Sequence, residues 1–366
     1  MKKKIIITAG GTGGHVFPAI ALGKQLSLNH QVELLYVGGN LGVNPYFEKD
    51  TFAHQSISCA TFKKKTPWSL IKSGSKIAWG IRQSFKILKD YKPDLIVGFG
   101  SYYTLPILVA AKLKKVPFIL HEANSVPGKV NRLLSKYAQS VGIHFPSTAT
   151  KLQGKSYEVG LPLRPGYKKG ACSKKEALQY FELDDSRLTL LVFGGSQGAV
   201  HLNHLVCHAM TNHLSSLHQS LQIIHIVGDS SLNSLIRAAY SKAGIKACVK
   251  PFENRMDLAW MATDFSIARA GAGTIAEQME FEVPGILIPF PYATDNHQDT
   301  NADFLVKDVG GAIKYREIDL TPKILADAIN SLSQEKRQLM GQAIHEYKLK
   351  NRTRNFCDLV LESVYI

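Results

Sequence analysis

Three glycine-rich segments could hold an anion on backbone amides: Gly10-Gly-Thr-Gly-Gly14, Gly194-Gly-Ser-Gln-Gly198 and Arg269-Ala-Gly-Ala-Gly-Thr-Ile-Ala-Glu277. Each follows an apolar run and opens a helical pattern. Such a turn aims N–H groups and the positive end of a helix dipole at a phosphate. Glycine is needed wherever a side chain would keep the phosphate off the backbone. Neither of the first two loops is a dinucleotide fingerprint: Val16 stands in place of the third glycine, and the second apolar run ends Val37-Gly38-Gly39 with no acid for a ribose. Neither is a P-loop, since no Gly-Lys-Ser/Thr follows.

A nucleoside diphosphate suits this equipment better. Ser196 adds a hydroxyl donor to the second loop, and Glu277 lies one or two turns inside the third helix, where a carboxylate can accept both ribose hydroxyls. Arg164 can add a fixed charge near the diphosphate. No Asp-x-Asp occurs, so the usual carboxylate pair of metal-dependent sugar transfer is missing. Leaving-group charge then falls to the helix N-terminus and side-chain donors. Neither a metal nor a cofactor is expected. His15, directly after the first loop, is the candidate general base; Glu122 is an alternative carboxylate.

The elements that must position these groups read as two α/β halves. Strands are expected at Lys3 to Ala9, Val32 to Val37, Asp94 to Val97, Phe118 to Leu120 and Ser140 to Ile143. The pattern restarts at Leu188 to Phe193 and continues through Ile223 to Val227, Cys248 to Pro251, Phe265 to Ala268 and Gly285 to Pro289. Strands alternating with helices imply parallel, doubly wound sheets. Gly160-Leu-Pro-Leu-Arg-Pro-Gly166 interrupts both periods and reads as the linker. Residues 1–163 and 164–345 are then two Rossmann-like domains, with the ligand expected at the carboxyl ends of their strands.

Charge divides the same way. Residues 1–163 hold 22 Lys+Arg against 7 Asp+Glu, whereas residues 164–366 hold 22 of each. Between Asp50 and Asp90 there is no acid, but Lys63, Lys64, Lys65, Lys72, Lys76, Arg82, Lys86 and Lys89 are all present. Thr66-Pro67 can start a helix there, with Ile77, Ile81, Phe85 and Leu88 on the expected core face. Trp68 and Trp79 fall among the basic residues, a mixture that suits an anionic headgroup layer. Lys64, Trp68, Trp79, Arg82 and Lys86 are the expected membrane contacts.

The composition, 45% apolar and 20% charged, excludes a mostly disordered chain. No apolar run approaches the roughly 18–20 residues of a membrane span, and the apolar run after the basic start is too short for a signal peptide. Five scattered cysteines without a CxxC pair point to a reducing cytoplasm rather than a disulfide or zinc scaffold. A nucleic-acid role for the basic half finds no zinc finger, RRM aromatic motif or basic zipper.

Taken in order, Gly10-Gly-Thr-Gly-Gly-His-Val-Phe-Pro18, Gly98-Phe-Gly-Ser-Tyr102, His121-Glu-Ala-Asn124, Pro127-Gly128 with Asn131-Arg-Leu-Leu134, Gly194-Gly-Ser-Gln-Gly-Ala199, the Arg269–Glu277 segment, and Asp295 with Gln298 and Asn301 cover nearly the whole chain. They resemble the MurG family of peptidoglycan N-acetylglucosaminyltransferases, which have the GT-B fold. The resemblance implies inverting transfer of GlcNAc from UDP-GlcNAc to the MurNAc 4-hydroxyl of lipid I. It implies that Thr12, Gly13 and Gly14 lie near the donor sugar and acceptor diphosphate, with His15 as the candidate base or acceptor clamp. Tyr102 would meet the acceptor, and Asn124, Arg164, Ser196 and Gln298 the donor. The backbone at Phe252-Glu253 would read uracil. Ala272, Gly273, Thr274, Ile275, Ala276 and Glu277 would hold ribose and phosphate. A C-terminal helix, residues 346–366, would pack back on the first domain. The chain departs from the family at Ala123, Leu161 and Glu253. A UDP-GlcNAc 2-epimerase shares fold and donor; the basic-aromatic surface and the Gly10–Pro18 loop favour transfer.

Overall fold

A computed structural model describes residues 2–61, 66–195 and 198–365. The chain forms two compact units, Met1–Pro165 with Thr353–Ile366, and Gly166–Arg352.

The first unit runs β1 (Lys3–Thr8), α1 (Gly13–Leu26), β2 (Val32–Gly39), β3 (His54–Ile57), α2 (Pro67–Tyr91), β4 (Leu95–Gly98), α3 (Leu105–Lys114), β5 (Phe118–Glu122), α4 (Lys129–Leu134), β6 (Ser140–Ile143) and β7 (Ser156–Glu158). The strands form one sheet of order β3-β2-β1-β4-β5-β6-β7. Every pairing is parallel, as in Ile5 opposite Leu34 on one side and Leu95 on the other. Helices cover both faces, so the central strands are apolar throughout: Ile5, Ile6 and Ile7 are all fully buried. The strand order reverses between β1 and β4, and a ligand site belongs at that switch point. Edge strands β3 and β7 were not expected from the sequence. His-Gln-Ser-Ile and Ser-Tyr-Glu are short and largely polar, and only pairing with a neighbour makes them strands.

Helix α2 continues unbroken through Ser73-Gly74-Ser75. The expected core stripe is borne out in part: Leu88 is buried, and Ile81 and Phe85 pack, partly buried, against the same core. The buried residues are Ser73, Gly80, Ser84, Ile87 and Leu88, whereas Ile77, Ile81 and Phe85 are half-buried. Small residues win that face because the helix lies close to its neighbours: a Cβ on Gly80 would run into the Ser58 carbonyl and sit 3.1 Å from Pro106.

The second unit contains α5 (Lys174–Tyr180), β8 (Leu188–Phe193), α6 (Val200–His213), β9 (Leu221–Ile226), α7 (Ser230–Lys242), β10 (Ala247–Lys250), α8 (Met256–Ala262), β11 (Phe265–Ala268), α9 (Ala272–Phe281), β12 (Gly285–Leu287), α10 (His297–Asp303), β13 (Ala312–Lys314), α11 (Pro322–Asn330) and α12 (Gln334–Lys350). Its parallel sheet has the order β10-β9-β8-β11-β12-β13, with the switch point between β8 and β11.

The segment expected as one C-terminal helix from 346 is two helices. α12 ends within the second unit, and α13 (Phe356–Tyr365) belongs to the first. The return is fixed by a bridge between Val159 and Arg354 and by the Gly160 N–H donating to the Arg354 carbonyl at 3.0 Å. Phe356 then enters the core beside Phe99 and His121, at ring-centroid distances of 5.9 and 4.8 Å. Phe356→Ala removes this anchor. Chemical denaturation should show a loss of about 3–5 kcal/mol, the range for a buried aromatic truncated to alanine; a loss below about 1 kcal/mol would mean α13 is not part of that core.

Candidate active site

In the first unit the site is built on strand ends. β1 leaves the sheet through Ala9 to Thr12, and α1 begins at Gly13. Tyr103, from the loop after β4, covers this turn: a Cβ on Gly10 would come within 2.7 Å of the Tyr103 Cβ, and Gly11 has φ +88°. The Asn44 amide donates to the Gly11 carbonyl at 2.9 Å. Thr12 takes the N-cap position of α1, and its hydroxyl lies 3.4 Å from His15 Nδ1. His15 is half-buried on the first helical turn. Thr12, Gly13, Gly14 and His15 therefore share one turn.

Tyr102 lies in the β4 loop beside Ser101, a non-glycine residue at φ +71°. It packs partly against the core beneath α2 and α3. Tyr103, which sequence reasoning passed over, is the tyrosine seated on the Gly10–Gly11 turn. A tyrosine pair after a strand-ending glycine was the available signal, and the sequence did not say which ring faces the loop.

Glu122 organises the end of β5. The carboxylate is buried and accepts from Asn124 N at 3.0 Å, Gly128 N at 2.9 Å and Asn131 Nδ2 at 2.9 Å. Asn131 also donates to the His121 carbonyl at 2.9 Å. Burial pushes the Glu122 carboxyl up, and these donors oppose that shift. The carboxylate that the sequence offered as an alternative base is thus occupied in holding its own loop. Thr148 Oγ1 and Lys151 Nζ bind the Asn124 and Ser125 carbonyls at 3.0 and 2.9 Å, fixing Asn124 from outside. Behind the loop, burial lowers His121 to about 3 and His144 to about 4, so both rings are neutral at pH 7. Arg164 stacks its guanidinium 5.2 Å over the Phe17 ring, one turn along α1 from the glycine loop.

In the second unit the two switch-point strands end in the other two glycine loops. Gly195 and Gly198 have φ +85° and +71°, and a Cβ on Gly194 would overlap Ala199. Ser196 falls outside the described residues. After β11, Arg269 is buried and donates to the Ile288 and Pro289 carbonyls at 3.1 and 3.2 Å and to Glu317 at 2.7 Å. It ties this loop to the end of β12, a role no spacing rule announced. Helix α9 then opens at Gly271, with open space around Gly273. Ala272, Thr274, Ile275 and Ala276 are buried in its first turns. Glu277 is half-buried, and the Trp260 indole donates to its Oε2 at 2.7 Å. Trp260 is itself buried, so this carboxylate is held by a rigid partner.

Gln298 is held through its side-chain oxygen, which accepts from the Phe290 N–H at 2.9 Å; Asp295 and Asn296 just before it have φ +51° and +53°. The Glu253 side chain points inward. Tyr180 and Lys250 donate to it at 3.1 and 2.6 Å, and so does the Arg255 N–H at 2.7 Å. Burial alone would raise its pKa, but these donors together hold it below the usual carboxylate range. Any ligand contact at this position falls to the backbone. Among the described residues no group of three or more His, Cys, Asp or Glu side chains is placed to hold a metal.

On α2, Trp68 and Trp79 are 79% and 56% exposed, so neither belongs to the core. Arg82 lies 6.0 Å over the Trp79 ring, and Ile71, Lys72, Lys76 and Lys86 are also exposed. Trp68, Trp79 and Lys86 recur at helical spacing and share one side of the helix. Lys64 falls outside the described residues.

Glu122→Ala leaves the Asn124 and Gly128 amides without their acceptor and Asn131 with the His121 carbonyl but not the carboxylate. We expect urea unfolding to show a loss of about 2–4 kcal/mol, at 1–3 per orphaned buried group with partial relief by water. An unchanged midpoint would refute the loop-holding role.

Comparison with known proteins places this arrangement. Residues 5–143 match the family model of the glycosyltransferase family 28 N-terminal domain, and residues 189–355 match that of the family's C-terminal domain. A Protochlamydia amoebophila protein named UDP-N-acetylglucosamine--N-acetylmuramyl-(pentapeptide) pyrophosphoryl-undecaprenol N-acetylglucosamine transferase is 46% identical, over 99% of this chain and 96% of its own. The protein of the same name from Chlamydia pneumoniae is 33% identical over 99% of each chain. The crystal structure of Acinetobacter baumannii MurG aligns over 99% of each chain, with 28% identity and a TM-score of 0.75. The fold is the α/β GT-B architecture of these glycosyltransferases.

Proposed function

The chain belongs to glycosyltransferase family 28, and from that premise we propose that it moves GlcNAc from UDP-GlcNAc to the MurNAc 4-hydroxyl of undecaprenyl-pyrophosphoryl-MurNAc-pentapeptide (lipid I), giving lipid II for peptidoglycan. The observation that carries the donor half is Glu277, held by Trp260 at 2.7 Å inside the open N-terminus of α9. A fixed carboxylate beside exposed amides suits a ribose next to a diphosphate. The acceptor half follows the names of relatives that match over almost the whole chain.

In this reading the reaction is a single displacement with inversion. His15 takes the proton from the attacking 4-hydroxyl, and its ring is oriented by the Thr12 hydroxyl 3.4 Å from Nδ1. The new C1–O4 bond forms as the bond from C1 to the diphosphate oxygen breaks. Charge on the departing UDP is met by the amides of the Gly194–Gly198 and Gly271–Gly273 loops, with the Ser196 hydroxyl adding a donor. Gln298, Asn124 and Arg164 serve the donor, the Thr12–Gly14 turn lies between the donor sugar and the acceptor diphosphate, and His15 and Tyr102 serve the acceptor. Glu253 contributes backbone only, since its side chain is committed elsewhere. The reading needs neither metal nor cofactor.

We further propose peripheral attachment at the cytoplasmic face of the cell membrane. Among the described residues no helix is long and apolar enough to cross a membrane. The exposed Trp68, Ile71 and Trp79, interleaved with lysines and Arg82, suit an anionic lipid surface rather than nucleic acid.

Two experiments test these assignments. Glu277→Ala should raise KM for UDP-GlcNAc about tenfold or more, and His15→Ala should lower kcat by about 10²–10⁴ with little change in that KM; full activity in either variant removes that residue from its role. Trp68→Ser with Trp79→Ser should weaken sedimentation with anionic vesicles by about tenfold, while activity on a short-chain acceptor in neutral detergent persists. Undiminished vesicle binding would put the membrane face elsewhere.

A further inference from the structure

Beside the Gly10–Gly14 turn, a cavity of about 280 Å³ opens at the carboxyl ends of β2 and β3. Its wall includes Asn40 from the end of β2, Thr61 from the chain after β3, Ser69, Lys72 and Lys76 from α2, and Tyr103. Tyr103 is the ring that covers Gly10 and Gly11, so the cavity and the glycine turn share a wall.

The lining chemistry has one sign. No lining residue is acidic. Lys72 and Lys76 form no ion pair among the described residues, although acids elsewhere in the protein are widely paired. Burial pushes the Cys59 thiol in the same wall up, and the nearby Lys76 charge opposes that shift. Two uncompensated ammonium groups facing hydroxyls and a carboxamide make a receptor for an oxyanion.

The cavity's place says which molecule brings that anion. On α2, Lys72 and Lys76 stand on the flank between the exposed Trp68–Trp79 stripe and the packed Ser73–Gly80–Ser84 stripe. The cavity therefore lies between the turn that carries His15 and the helix face proposed to meet lipid. A lipid-linked acceptor crosses this path, with its sugar at one end and its polyprenyl chain at the other.

We propose that this cavity is an anion subsite for the acceptor, in which Lys72 and Lys76 bind an oxyanion of the lipid-linked substrate. The inference rests on the transferase reading and assigns the acceptor a contact outside the glycine turn. The diphosphate and the stem-peptide carboxylates both present this chemistry.

The test is the steady-state kinetics of Lys72→Gln/Lys76→Gln with a short-chain acceptor in neutral detergent, where no anionic surface is present. KM for the acceptor should rise about tenfold or more, as for loss of charge-assisted contacts. KM for UDP-GlcNAc should stay within about twofold. Lys72→Arg/Lys76→Arg should recover most of the loss, and added salt should raise the parent's acceptor KM more than the double glutamine variant's. An acceptor whose peptide carboxylates are amidated separates the sources: an equal loss assigns the site to the diphosphate, and an abolished loss assigns it to the peptide. An acceptor KM within about twofold of the parent overturns the subsite. Absence of transfer by the parent protein would instead overturn the transferase reading, so the two failures are distinct.

Discussion

At the carboxyl end of β1 the backbone passes so close to Tyr103, and the end of β2 so close to Cys59 and Tyr103, that side chains at Gly10 and Gly39 have no room. The second unit repeats the constraint, with Gly194 against Ala199 and Gly198 against the Val227 carbonyl. Both crowded exits lie at the switch point of a parallel sheet, where the neighbouring connections diverge to opposite sides. Crowding at the strand end forces glycine, and a glycine puts no side chain between its own backbone amide and a ligand. Exposed amides at a helix N-terminus attract an anion with no further side chain. The apolar sheets and the helices that cover them serve chiefly to hold these two exits rigid.

Polar groups around the exits are fixed because leaving them unpaired in a dry environment is costly. Glu122 spends its lone pairs on Asn124, Gly128 and Asn131, so the loop after β5 has one shape. Arg269 does the corresponding work in the second unit, joining its loop to two β12-end carbonyls and Glu317. Trp260 orients Glu277 in the same manner. The groups proposed to meet substrate thus rest on a set already committed to holding the loops, and residue type alone does not separate the two. Glu122 and Glu277 are both carboxylates near a strand end; one is consumed by its own loop, the other accepts from the Trp260 indole in the first turns of α9.

That distinction marks how far the sequence could be read. The long apolar strands and the glycine loops after them were legible because burial on both faces and backbone geometry each leave a local signature. Edge strands β3 and β7 were not, since His54–Ile57 and Ser156–Glu158 owe their conformation to a partner strand. The core face of α2 was read in part: Ile81, Phe85 and Leu88 do meet the core, but close helix packing also buries Ser73, Gly80 and Ser84, which no apolar pattern marks. The break between α12 and α13 has no proline or glycine to announce it; Asn351 simply leaves helical geometry and Phe356 restarts the chain in another core. The seating of Tyr103 and the loop-tying role of Arg269 were not legible because both are long-range contacts. Trp68 and Trp79 show the opposite case: their spacing among basic residues placed them correctly on an exposed face.

The account stands on transfer of a sugar from a nucleotide to a lipid-linked acceptor. Its most direct test is incubation of the purified protein with radiolabelled UDP-GlcNAc and a short-chain lipid I analogue, with and without EDTA, followed by extraction of the lipid-linked product. The account predicts label in the disaccharide lipid, one UDP per transfer, and the same yield in EDTA. Release of UDP together with free ManNAc, and no labelled lipid, would contradict it and make the protein an epimerase.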